Sequence, residues 1–93
     1  MKKRNRRRVL FSVLPEDVLT SGARVTLMGR TGVLVEGQRG VVELENARIR
    51  LRTKGGVLSV LGSLLRLKEL SADAAMIEGD RIETVTYDKP ELR

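Results

Sequence analysis

The amino-acid sequence predicts an all-β domain, a small antiparallel meander of about seven or eight short strands that closes as a sandwich, roll or barrel. Three observations predict it. From Ala23 onward apolar residues alternate with polar ones over short stretches, the two-residue period of a half-buried strand. Glycine or asparagine punctuates those stretches at Gly29, Gly32, Gly37, Gly40, Asn46, Gly55, Gly56, Gly62 and Gly79. A near-repeat, apolar-x-apolar-x-Gly/Asn-x-x-apolar-x-apolar, centres on residues 29, 46, 62 and 79. Its regular spacing also fits a β-solenoid, so hairpins have to account for it better.

Taken in order, Pro15 opens a short helical turn, "PEDVLTS", with Glu16 and Asp17 near its start. A two-residue turn at Asn46-Ala47 then sets Leu44 against Ile49 and Val42 against Leu51, and on the other face Glu45 against Arg48 and Glu43 against Arg50. The "TKGG" loop sets Leu51 against Leu58, Ile49 against Val60, and Arg52 against Val57. Further turns are expected at Gly37 to Gly40 (Val35 on Val42, Val33 on Leu44), Gly62-Ser63 (Val60 on Leu65, Leu58 on Leu67) and Gly79-Asp80 (Ile77 on Ile82, Glu78 on Arg81). Both faces come out chemically sensible, so hairpins suffice. The expected inner face runs through Val33, Val35, Val42, Leu44, Ile49, Leu51, Leu58, Val60, Leu65 and Leu67. Val41, Val57, Leu61, Leu64 and Met76 fall on the outer face, which implies a second layer or a partner over part of it.

Ninety-three residues make one domain, read as a basic tail (1–13), a β domain (14–88) and a C-terminal tail (89–93). The chain has no Cys and no His, which removes disulfides, thiolate nucleophiles and imidazole acid/base chemistry. Its only aromatics are Phe11 and Tyr87, too few for a nucleic-acid site built on stacked bases. Glycine spacing matches neither a P-loop nor a dinucleotide fingerprint, and no acidic cluster is free for acid/base work. The chain is expected to be no enzyme and to need no cofactor or metal.

The net charge of +6 is concentrated in "KKRNRRR": Lys2, Lys3, Arg4, Arg6, Arg7 and Arg8 carry six positive charges without a negative one. The body from Val9 onward is formally neutral. "VLFSVL" (9–14) follows directly, too short for a signal-peptide core or a membrane span. The expectation is a soluble, cytoplasmic protein with a peripheral hold on an anionic membrane, through the tail and insertion of Phe11. The plain alternative is a disordered solubilising arm.

Arg48, Arg50 and Arg52 recur at every second position and share one face of a strand. They could bind an anion, but the expected register gives Arg48 and Arg50 carboxylate partners, and cross-strand pairing is the better account. Arg52 is left over. With Arg66 and Lys68, expected on a neighbouring strand, it forms a candidate basic patch for an acidic partner.

"LPEDVL" (14–19), "RVTLMGR" (24–30), "VLVEGQRGVVELENARIRLRTKGGVLSVLGSLLRLKEL" (33–70) and "AMIEGDRIETVTY" (75–87) closely resemble the YabP/YqfC family of sporulation proteins, nearer the YqfC branch. The ordered spacing of Gly29, the "RG" at 39 and 40, the three-arginine strand, Gly62 and Gly79 carries the resemblance. It implies an immunoglobulin-like β-sandwich, made in the mother cell during spore development, with no enzyme activity and no cofactor. It also implies a YqfD-type membrane protein as partner. The expected function is therefore a non-enzymatic interaction module at the mother-cell side of the membrane around the forespore. Two alternatives stand beside it: a nucleic-acid-associated basic protein, and a self-assembling structural protein, a homo-oligomer built through edge strands.

Overall fold

The computed structural model describes residues 23–88, so the turn expected at "PEDVLTS" lies outside the described residues, as does the whole basic tail. The described chain forms eight strands and no helix: β1 (Arg24–Met28), β2 (Gly32–Glu36), β3 (Gln38–Leu44), β4 (Arg48–Thr53), β5 (Gly56–Ser63), β6 (Arg66–Leu70), β7 (Ala74–Glu78) and β8 (Arg81–Tyr87). They make two four-stranded antiparallel sheets, ordered β1-β2-β7-β6 and β3-β4-β5-β8. The predicted all-β, sandwich-like class is what the chain adopts.

Alternation explains how the sheets meet. Val33 and Val35 of β2 and Ala75 and Ile77 of β7 turn inward from the first sheet. Ile49 and Leu51 of β4, Leu58 and Val60 of β5, and Ile82 and Val85 of β8 turn inward from the second. Together with Leu65 these form one buried cluster, and each larger side chain withdrawn from water contributes about 1.5–3 kcal/mol.

The two local hairpins of the second sheet have the expected register: Leu51 lies opposite Leu58, Ile49 opposite Val60, Arg52 opposite Val57, Leu44 opposite Ile49 and Glu43 opposite Arg50. One pairing differs. A bulge between Val41 and Glu43 shifts β3, so Val41 faces Leu51 and packs on the core, while Val42 is 40% exposed. Leu44 keeps its partner but sits at the strand end, 55% exposed. An inserted residue re-aims its neighbours, and alternation alone cannot locate it.

The other three expected hairpins are corrected. β2 does not pair with β3, β5 does not pair with β6, and β7 does not pair with β8. At each point the chain leaves one sheet for the other, and the strands find distant partners: β2 with β7, and β5 with β8. Gly62 and Gly79 serve these crossovers by their smallness rather than by turning. A Cβ on Gly62 would stand 2.1 Å from the Arg81 carbonyl oxygen, and one on Gly79 2.8 Å from the Ser63 carbonyl oxygen. Leu64, between them in the chain, takes a left-handed φ of 52°.

Backbone bonds tie the connections into two ends. At one, Gly62 N–H donates to Ala47 O, Leu65 N–H to Asn46 O, Gly79 N–H to Thr31 O and Ile82 N–H to Arg30 O. At the other, Gly37 N–H donates to Asp73 O, and buried Gln38 bridges the sheets. Its Nε2 donates to Ser71 O (2.9 Å) and Ala74 O (3.2 Å), and its Oε1 accepts from Gly40 N–H (2.7 Å).

Gly62→Ala or Gly79→Ala should destabilise the protein by more than about 3 kcal/mol, because backbone must move to admit the methyl group. Gly29→Ala, with φ +65° but open space around the new atom, should cost about 1 kcal/mol. Urea unfolding of the three variants checks the order.

Candidate interaction surface

The outward side of the second sheet is largely polar, because most residues between the core positions are polar (Arg48, Arg50 and Arg52 on β4, Ser59 on β5, Thr84 and Thr86 on β8), with Val57 and Leu61 of β5 set among them. Arg50 lies at the centre of a network. Its Nη1 is 3.4 Å from Glu43 Oε1, and its Nε donates to Asp88 Oδ2 at 2.9 Å. Ser59 Oγ donates to the other Asp88 oxygen. Arg48 Nη2 reaches Glu43 Oε2 at 3.1 Å.

The Glu43–Arg50 pairing is as expected, whereas the carboxylate of Arg48 is Glu43 rather than Glu45. Glu45 and Arg48 exchange backbone hydrogen bonds instead. Asp88 is not legible as a member from the sequence, because the expected neighbour of β8 is β7; Ser59 stands opposite Arg50 in the β4–β5 register.

Ionisation follows the contacts. The hydrogen bond from Arg48 chiefly, with Arg50 behind it, holds the Glu43 carboxyl below its usual range. At Asp88, burial opposes ionisation more than any one contact favours it, yet Ser59 and Arg50 together leave the carboxyl lowered. The hydrogen bond to Asp88 raises Arg50 in turn. These groups are half-exposed and belong to one another, so their role is to fix strand alignment and to hold the end of β8.

Arg52 is exposed, opposite Gly40 and Val57, with its Nη1 3.9 Å from where a Gly40 Cβ would be. No carboxylate among the described residues reaches it. Arg66 and Lys68 are not its neighbours: they lie on β6, in the other sheet, where Glu78 binds both at 3.5 and 3.2 Å. The expected grouping of Arg52 with Arg66 and Lys68 rested on the β5–β6 hairpin and falls with it. Arg39 and Lys54 stand nearer Arg52. They line one shallow depression with Gly37, Gln38, Ala72 and Asp73, and sequence reasoning missed both because Arg39 lies at a bulge between Gln38 and Gly40. Lys2, Lys3, Arg4, Arg6, Arg7, Arg8 and Phe11 lie outside the described residues.

Of the apolar residues expected outside, Val57, Leu61 and Met76 are half-buried and Leu64 is 55% exposed. Leu34, Met76, Leu70 and Ala74 border a shallow apolar groove on the first sheet. Among the described residues no group of three or more Asp or Glu is placed to hold a metal ion, and no helix is long and apolar enough to cross a membrane.

The fold and this surface define a small two-sheet β protein whose charged side chains chiefly bind one another across strands. The chain belongs to the YabP family, whose sequence model matches residues 20–93. It is similar to the uncharacterized protein YqfC of Bacillus subtilis (strain 168), with 28% identity over 74 residues that cover 80% of this chain and 78% of that protein.

Both carboxyls are lowered in the folded state, so their stabilisation is present above about pH 4, the unfolded carboxylate range, and is lost as pH falls through the depressed native values. Asp88→Asn should lower the thermal midpoint by about 2–6 °C at pH 7. The difference between the two proteins should shrink as pH falls below the usual carboxylate range and Asp88 takes up its proton.

Proposed function

We propose that this protein is a non-enzymatic interaction module of spore development, held to the mother-cell side of the membrane around the forespore, with a YqfD-type membrane protein as partner. Membership of the YabP family suggests a sporulation-associated protein. The observation that carries the membrane reading is the unopposed charge of Lys2, Lys3, Arg4, Arg6, Arg7 and Arg8, followed at once by the apolar run Val9 to Leu14. Each cation near an anionic bilayer contributes about 1 kcal/mol, and a short apolar insertion adds to that without spanning. A side-chain inventory without Cys or His fits a binding role better than catalysis.

Sedimentation with phosphatidylglycerol vesicles tests this on the full chain. Replacing the six tail cations with Gln should weaken vesicle binding at least a hundredfold. Unchanged binding removes the tail from the mechanism. Steeply salt-dependent binding to DNA or RNA, without vesicle binding, would support a nucleic-acid role instead.

A further inference from the structure

Ten Lys and Arg side chains lie among the described residues. Five of them, Arg48, Arg50, Arg66, Lys68 and Arg81, meet carboxylates. The remaining five, Arg24, Arg30, Arg39, Arg52 and Lys54, have no carboxylate partner among the described residues, and their placement is uneven. Arg30 lies in the β1–β2 turn, at the end where Gly62 and Gly79 cross. The other four lie at the opposite end, marked by Gln38. There Arg24 has Glu36 across from it, whereas Arg39 and Lys54 line a depression with Asp73, and Arg52 lies beside Val57, whose carbonyl accepts from the Asp88 N–H while the Asp88 carboxylate is taken by Arg50 and Ser59.

The backbone beneath these three is held. Gln38 and Gly40 flank Arg39 and are bonded to each other, and Gln38 is bonded to the β6–β7 turn. Thr53 Oγ1 clasps the turn that carries Lys54, accepting from Gly55 N–H (3.1 Å) and donating to Gly56 O (2.8 Å). Arg52 is fixed by its register between Gly40 and Val57. Cations on a fixed frame bind an extended anionic surface without first losing backbone freedom. β1 also begins at this end, with Arg24 opposite Glu36.

We propose that Arg39, Arg52 and Lys54 form the surface on which the folded domain meets an anionic lipid bilayer. The inference rests on the membrane reading of the tail and adds an orientation: the Gln38 end faces the lipid and the Arg30 end points away. The apolar run Val9 to Leu14 in the sequence between the basic segment and the domain favours lipid over nucleic acid.

The test uses the full chain and vesicles of phosphatidylglycerol in phosphatidylcholine. The triple variant Arg39→Gln/Arg52→Gln/Lys54→Gln should bind about a hundredfold more weakly, at about 1 kcal/mol per charge. It loses no ion pair to a described residue, so its thermal midpoint should stay within about 2 °C. Arg30→Gln, one charge removed from the far end, should change binding less than about twofold, against about fivefold for Arg39→Gln alone. Equal vesicle binding by wild type and the triple variant, with loss only when the tail is neutralised, overturns the corner and leaves the tail standing. Equal effects of Arg30→Gln and Arg39→Gln overturn the orientation. Failure of the wild type to bind vesicles at low salt overturns both readings, and a triple variant that loses DNA or RNA binding alone reassigns the corner to nucleic acid.

Discussion

The whole fold depends on one shared interior. Neither sheet can leave its apolar face in water, and among the described residues each is the other's large cover. The chain must therefore pass between sheets three times while keeping the interior closed. Backbone passes close to backbone at Gly62 and Gly79, where even a methyl group has no room. Burial supplies the driving force, and these two positions admit the topology that realises it.

This explains which parts of the fold were legible in the sequence. The β3–β4 and β4–β5 hairpins could be read because their partners lie a few residues apart and both faces must agree at once. The glycines at 62 and 79 were read as turns, since a glycine at a strand end has the same appearance whether it reverses the chain or makes way for another segment. The inward set nevertheless came out nearly right, with Val33, Val35, Ile49, Leu51, Leu58, Val60 and Leu65 all buried. Direction of a side chain follows from its own strand's period, while the identity of the neighbour depends on residues far away.

The surface shows the same division. The row of arginines on β4 looked like a binding stripe, and two of its three members hold carboxylates that align strands. Local pairing identified Glu43, but Asp88 is 38 residues from Arg50 and could enter only through the β5–β8 pairing. Arg52 was rightly left over, but its company was misjudged, because Arg66 and Lys68 belong to the other sheet. What distinguishes the cations now is whether a carboxylate lies within reach, a property of the folded sheet that linear spacing does not hold.

The partnership of β2 with β7 has a consequence for how the molecule comes into being. Val33 meets Ile77, which lies 44 positions further along the chain. During synthesis β1 and β2 emerge with their apolar sides uncovered, and no completed first sheet exists until β7 has followed. Contacts that distant carry a large loop-closure entropy and slow the final assembly. The nascent hairpin of β1 and β2 is thus the stretch most open to wrong pairing, and mutations that disturb it should reduce yield in cells before they alter the finished protein.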